Sequence, residues 1–467
     1  MHKKSAMNAS RRVFLQQGSA LIGAGITAPI ALNLATISEA SAATATDYKA
    51  IVCIFMRGGN DNHNSLVPFD DINYGIYQSL RPILAHPKVD LTATVLKPRV
   101  VPMDKNGLPH QFALSPYLAP IKGIFDSGRL AIMLNVGTLV QPTTKIQFTN
   151  RSVPLPPRLF SHNDQESVWQ SLAPEGAPSG WGGRMGDLFA AGNGKAIFTS
   201  VNIADNSVFA SGKKVTQYQV SATGAQPLYG LNYLYGSQAC SSALQTLVTQ
   251  TRPHLFENEL NIITKRAISA GNALTEALNA GPHIKTNFPT PVMNDLADQL
   301  KLVANMIAVA DTLTIKRQVF FVSINGFDHH DGLLAKQPNL LVKVANAMKS
   351  FYEATIELGV ANQVTTFTAS DFGRSLVGNN DGSDHGWGSA HFIMGGAVLG
   401  GNYYGTAPVL ANGGPDDVGE GRLLPTTSVD QYAATIGKWL GVSDTQLLEL
   451  LPNLKNFNAN TRHLGFV

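Results

Sequence analysis

Four short stretches of this 467-residue chain gather acidic and imidazole side chains among glycines. They are Arg57-Gly58-Gly59-Asn60-Asp61-Asn62-His63-Asn64, Asn325-Gly326-Phe327-Asp328-His329-His330-Asp331, Ser370-Asp371-Phe372-Gly373-Arg374 and Gly382-Ser383-Asp384-His385-Gly386-Trp387-Gly388. Carboxylate oxygens and imidazole nitrogens drawn from distant stretches are the donor set of a hard or borderline divalent cation. The glycines let the backbone turn sharply enough for such side chains to converge. His329 and His330 are neighbours, so an extended backbone points them to opposite sides and at most one serves as a ligand. Asp61 also suits a plain turn, since Gly59-Asn60-Asp61 is good turn chemistry. Arg57 and Arg374 flank the acids and either grip an anionic oxyester or neutralise the acids as ion-pair partners. A fifth stretch is Phe160-Ser161-His162-Asn163-Asp164-Gln165-Glu166. Ser161 precedes an expected helix over 164–172, with Asp164 placed for a capping arrangement. A hydroxyl there sits where helix N–H groups favour an anion. Ser161 is therefore either an N-cap or a nucleophile activated by a metal.

Positioning these groups requires strands that end near one another. Apolar runs rich in β-branched and aromatic residues predict buried strands over 50–56, 130–136, 196–201, 319–324, 364–368 and 392–398. Apolar residues at helical spacing run from Phe256 to Leu278, from Leu296 to Ala310 and from Leu341 to Leu358, where Gly359 stops the last helix. Tail helices are expected over 428–440 and 444–451. Residues 142–157 read as a Pro-rich, non-periodic connection, and 208–230 as a hairpin insertion. Fully apolar strands alternating with amphipathic helices predict an α/β fold, a doubly wound, mostly parallel sheet with helices on both faces. In such sheets ligands bind beyond the carboxyl ends of the strands. Three of the acid-bearing stretches directly follow predicted strands, and the fourth precedes one.

Charged residues make up only 14% of the chain, well below the roughly 25% typical of soluble domains. The net charge of +3 resides in residues 1–42, where Lys3, Lys4, Arg11 and Arg12 stand against Glu39; the remaining 31 basic and 31 acidic residues balance. No basic stripe remains, which argues against a nucleic-acid binder. Residues 1–42 read as a twin-arginine export signal. Ser10-Arg11-Arg12-Val13-Phe14-Leu15 is followed by an apolar, Gly-containing tract and then Ala40-Ser41-Ala42. That tract is too short and too rich in glycine for a stable membrane span. Residues 43–467 are expected to form a single domain. Cys53 lies in an apolar run and only Cys240 accompanies it, so no disulfide framework is implied.

RGGND at Arg57–Asp61, LFSHNDQ at Leu159–Gln165, GFDHH at Gly326–His330, SDFGRS at Ser370–Ser375, and GSDHGWG with HFIMGGAV across 382–398 together resemble the exported bacterial family DUF1501. That family of unknown function is placed in the alkaline phosphatase-like superfamily, and the resemblance spans essentially the whole of 43–467. It implies one or two metals over the sheet. By position Asp61 resembles the first-strand ligand and Ser161 the nucleophile. Asp328 and His330 resemble ligands of the second metal, Asp371 the acid of a late Asp-His pair, and His385 the closing histidine. Phe372 stands where the superfamily has the histidine of that pair. One site is then a ligand short and recruits a neighbour such as His162, Asp384 or His391, or holds no metal. The pattern that generates formylglycine is absent after Ser161, which disfavours sulfatase chemistry of that type.

These readings predict a periplasmic or secreted metal-dependent hydrolase of phosphate or sulfate esters. Its cofactors would be one or two divalent ions (Zn, Ca, Mg or Mn). Ser161 would be the nucleophile, and Arg57, Asn60, His162 and Arg374 would bind substrate. Partners would be a small-molecule or carbohydrate ester and the twin-arginine export machinery. The alternative is a non-catalytic binding or assembly protein that keeps the fold and at most one metal.

Overall fold

The run Lys49–Met56 has no polar residue after its first, and its side chains alternate between two apolar layers. Ala50, Val52, Ile54 and Met56 face one; Ile51, Cys53 and Phe55 face the other. A strand apolar on both sides belongs in the middle of a covered sheet, and it lies there. The computed structural model describes residues 45–289 and 294–467. The export signal expected over 1–42 lies outside the described residues. Tyr48–Val467 form one compact unit.

The strands are β1 (Lys49–Met56), β2 (Leu66–Pro68), β3 (Phe112–Leu114), β4 (Leu130–Gly137), β5 (Ser200–Asn202), β6 (Tyr218–Gln219), β7 (Arg317–Ile324), β8 (Val364–Ser370), β9 (Arg374–Gly378), β10 (Ser383–His385), β11 (Ser389–Met394), β12 (Tyr403–Tyr404) and β13 (Thr427–Ser428). Among the described residues nine make one sheet, ordered β12-β4-β11-β8-β1-β7-β5-β6, with β13 also on β4. Every pairing in it is parallel except those of β11 with β4 and β8. One face is covered by helices Ala119–Asp126, Asp295–Ala308 and Leu333–Glu357 and by the C-terminal part of Leu255–Ala280. The other is covered by His162–Ser171, Trp181–Phe189, Val429–Leu440 and Asp444–Leu450. This is the α/β sheet with two helical layers that the sequence pattern predicts. Among the described residues no helix is long and apolar enough to cross a membrane.

Several local expectations need correction. Residues 196–198 form a 3₁₀ turn, and the strand begins only at Ser200. The last predicted strand starts at Ser389 and stops at Met394; Gly395 still donates its N–H to the Arg129 carbonyl, but Gly396 turns away and donates to the Ala361 carbonyl. Residues 208–230 form no hairpin in the sheet; β6 adds in parallel to β5. The Pro-rich connection contains a short helix, Lys145–Thr149, closed by a Thr144–Gln147 capping box.

The sheet decides what can meet. Strands β8, β1 and β7 are adjacent and parallel, with Met56 opposite both Ile324 and Ser370. Their following loops therefore emerge side by side. β11 runs the other way, so the segment leading into it arrives at the same edge.

Candidate metal centre

Asp328 follows β7 on a turn with Gly326 at φ +107°. The loop after β1 presses against it: a Cβ on Gly58 would lie 2.5 Å from the Asp328 backbone nitrogen. Three imidazoles surround the Asp328 carboxylate. Their Nε2 atoms stand 3.4 Å (His162), 3.2 Å (His330) and 3.5 Å (His385) from its Oδ1. His162, Asp328 and His385 each offer a donor atom within 4.8 Å of the others. His330 Nε2 lies 2.8 Å from His385 Nε2.

The opposite nitrogen of each ring meets an acceptor. His162 Nδ1 is 2.7 Å from Asp371 Oδ2, His330 Nδ1 is 3.2 Å from Asp384 Oδ1, and His385 Nδ1 is 2.6 Å from the Phe160 carbonyl. Those acceptors assign the protons to Nδ1, leaving three Nε2 lone pairs near Asp328 Oδ1, with Arg374 Nη1 also 3.5 Å from His330 Nε2. Two lone pairs at that separation repel unless a positive charge lies between them. His162 Nε2 is buried and has no hydrogen-bond partner. An imidazole fixed through its far nitrogen by a carboxylate or carbonyl is the usual support of a metal ligand.

The charges agree. Asp328, Asp371 and Asp384 carry three negative charges, and Arg374, in contact with Asp328, carries one positive. With neutral imidazoles the difference is two negative charges, which a divalent cation cancels. Burial opposes ionisation of Asp328, but Arg374, together with His162 and His330, outweighs it and holds the carboxyl below its usual range. The Asp371 hydrogen bond raises the pKa of His162, whereas burial lowers that of His385.

The polypeptide supplies the supports locally. His162 is the first residue of the helix His162–Ser171. Asp371 follows β8 and accepts the Gly58 N–H, 3.1 Å, through its other oxygen. His385 ends β10, which pairs with β9. Phe372 lies against both His162 and His385, with ring centroids at 4.8 and 4.6 Å. It packs the imidazoles and offers no ligand atom.

Several expected site residues are placed differently. Asp61 is not at the centre: it is buried, paired with Arg81, and accepts from Ser383 Oγ at 2.6 Å and the Asn64 N–H at 3.1 Å. Its carboxylate is spent as the counter-ion of a buried guanidinium. Asp371 touches His162 and stands behind it. Asp384 likewise stands behind His330. Arg374 does not face a substrate, because it is buried and its donors reach the Gly59, Ser383 and Gly58 carbonyls and Asp328. It clips the converging loops together. Arg57 takes the ion-pair role, 2.6 Å from Glu166, and donates to the Asn206 carbonyl at 2.8 Å. Asn60 is buried in a network with Ser65 Oγ and Gln337. His391 lies beneath Trp169, 4.8 Å between rings, and burial pushes its pKa down to about 3. His162, expected either at the substrate or as a recruited ligand, joins Asp328, His330 and His385. His329 is buried while His330 is exposed, the opposite orientation expected of neighbours.

Ser161 occupies the N-cap position, yet its side chain does not cap the helix; Oγ donates to Asp164 Oδ2 at 3.0 Å. The adjoining Phe160 carbonyl is the acceptor for His385. Sequence reasoning missed Arg81, the partner of Asp61, and the Phe160 carbonyl, for which no side-chain signal exists.

The model of the family described as "Protein of unknown function (DUF1501)" matches residues 48–452. No curated protein matches the chain. Among solved structures, the PsFucS1 sulfatase from Pseudoalteromonas sp. is similar at 8% identity and a TM-score of 0.37, over 92% of this chain and 75% of that one. The phosphonate monoester hydrolase SpPMH from Silicibacter pomeroyi gives 8% and 0.32, over 85% and 73%. Ps i-CgsB in complex with k-i-k-neocarrahexaose gives 10% and 0.36, over 88% and 77%. Likeness this distant says nothing of chemistry, which rests on the side chains.

Proposed function

The chain belongs to the DUF1501 family, and from that premise we propose that it is an exported, metal-dependent hydrolase of phosphate or sulfate esters. The observation that carries the metal is the convergence of three Nε2 lone pairs on Asp328 Oδ1. His162, Asp328, His330 and His385 would hold the cation. Three imidazoles and one carboxylate suit a borderline ion such as Zn²⁺ better than Mg²⁺ or Ca²⁺. When bound, the cation supplies Lewis-acid polarisation of an ester oxygen.

In this reading Ser161 is the nucleophile. Its hydroxyl already donates to Asp164 Oδ2 at 3.0 Å, so a proton acceptor is in place. Oγ forms a bond to phosphorus or sulfur, the hydroxyl proton passes to Asp164, and the ester oxygen leaves. Water then attacks the serine ester, releases phosphate or sulfate, and the serine oxygen regains a proton. The substrate class is a small-molecule or carbohydrate ester. The twin-arginine sequence at 10–15 supports export to the periplasm or beyond.

A second reading, a non-catalytic binding or assembly protein with one structural metal, is favoured by Phe372 and Asp61, neither of which contributes to a second centre. Elemental analysis combined with a panel of phosphomonoesters, diesters and sulfate esters tests both. The hydrolase reading expects turnover by the wild type, loss of turnover with retained metal in Ser161→Ala, and loss of both in Asp328→Ala. Wild-type turnover no greater than that of both variants refutes the hydrolase and leaves the second reading.

A further inference from the structure

Helix Leu255–Ala280 carries an apolar stripe at alternating steps of four and three: Phe256, Leu260, Ile263, Ala267, Ala270, Leu274 and Ala277. That is heptad spacing, the pattern of a helix that packs along another helix. The C-terminal part of the stripe enters the core, where Leu274 is 0% exposed. The N-terminal part stands open: Phe256 is 78%, Leu260 63% and Ile263 51% exposed. Leu255 and, on the neighbouring helix Gln238–Thr249, Leu247 are exposed beside it. That neighbour lies against a different side, where Asn261 donates to the Leu247 and Gln250 carbonyls. Among the described residues, one continuous stripe is thus satisfied along half its length and unpartnered along the other half.

The charges beside the open half indicate what covers it. Glu257 and Glu259 lie toward its N-terminal end, and Lys265 and Arg266 about two turns later. A parallel pairing with the same segment would set Glu257 and Glu259 against their own copies, which is repulsive. An antiparallel pairing reverses this and brings Glu259 of each helix alongside Arg266 of the other. Centred between Leu260 and Ile263, it also packs Leu260 on Ile263 of the second copy. The large Phe256 then meets the small Ala267. Apolar and charged positions complement themselves under the same two-fold axis.

We propose that residues 255–267 pair antiparallel with the same segment of a second copy of this chain, forming a two-fold symmetric dimer. The contact uses no residue of the candidate metal centre, so it stands or falls independently of the ester-hydrolase reading.

The test is sedimentation velocity of the full chain with three variants, each checked for metal content. Wild type is expected to sediment as a dimer at micromolar concentration. Leu260→Lys should weaken dimerisation by about tenfold or more with metal content unchanged. Glu259→Arg should weaken it as well, and adding Arg266→Glu should restore it. A wild type that stays monomeric at high micromolar concentration overturns the proposal. So does a dimer indifferent to Leu260→Lys, or a charge swap that fails to restore what Glu259→Arg removes.

Discussion

Asp61→Asn removes one charge from a pair that water does not reach. Arg81 and Asp61 are in contact with side-chain exposures of 0% and 1%. Burial alone would push the Asp61 carboxyl up. Arg81, His63 and the Ser383 hydroxyl together outweigh it and hold the carboxyl below its usual range. With asparagine, the guanidinium keeps its bond to the Ser375 carbonyl, 3.0 Å, but has no counter-ion. An uncompensated buried charge of this kind costs about 3–5 kcal/mol, a large part of the roughly 5–15 kcal/mol that holds a folded domain together. Urea unfolding at pH 7 should show a clearly lower midpoint, while elemental analysis of the folded protein should find the wild-type metal content. The pH dependence has a fixed sign. A carboxyl with a lowered folded pKa contributes fully above its unfolded value, about 3.9. The contribution disappears as pH falls through the lowered folded value. The gap between wild type and variant should therefore be widest near neutral pH and close in strong acid. Replacing both partners, Asp61→Leu with Arg81→Leu, should recover much of the loss. An Asp61→Asn protein of unchanged stability that has lost its metal would refute the reasoning and return Asp61 to the ligand set.

Asp371→Asn should weaken metal binding about 10–100-fold, read by competition with a chelator, because His162 loses the acceptor that fixes its Nδ1 proton; unchanged affinity would show that the carboxylate plays no supporting part. Gly59→Ala should lower both thermal stability and metal affinity. Gly59 has φ +75°, and a Cβ there would run into the Phe372 ring that packs His162 and His385. The left-handed backbone alone costs about 1–2 kcal/mol, so adding Phe372→Leu should recover only part of the loss. Acid should destabilise the chain through His63 and His391, which burial pushes down from 6.5 to about 4 and about 3. Below pH 6.5 the unfolded chain takes up protons that these native imidazoles refuse, so their contribution falls until pH reaches those folded values. His391→Leu should flatten the lower part of that decline in a series of unfolding curves; an unaltered decline would show that His391 is protonated in the native state.

The sheet was legible because β1 and most of β4 and β7 are apolar on both sides and cannot be mistaken for half-exposed strands. Short edge elements carry no such pattern. Tyr218–Gln219 has two residues and no periodicity, so its parallel addition to β5 is fixed by the neighbouring strand and is invisible locally. β11 was misplaced because the apolar run 392–398 continues past Met394, where Gly396 turns away to the Ala361 carbonyl, while polar Ser389 and His391 enter the ladder. In helix Leu255–Ala280 the apolar stripe identified the helix correctly, but periodicity does not say whether a stripe meets the core or another surface.

The candidate centre divides the same way. Asp61, Asp328 and Asp371 look alike in sequence: each follows a predicted strand end among glycines. Their fates differ because of what lies opposite each. Asp61 meets Arg81, whose buried guanidinium demands a full counter-charge and takes the carboxylate out of reach. Asp371 meets Nδ1 of His162, the nitrogen turned away from Asp328, and orients the ring. Asp328 also touches an arginine, yet it remains half exposed and has three imidazoles before it. Spacing along the chain brings acids to the rim, and the neighbouring guanidinium groups and imidazoles determine which of them is left open to a cation. Arg81 lies in an unremarkable stretch, Ser79-Leu80-Arg81-Pro82, with no metal-site signal. What removes Asp61 from the ligand set is thus written twenty residues away, in a side chain that only the folded chain brings beside it.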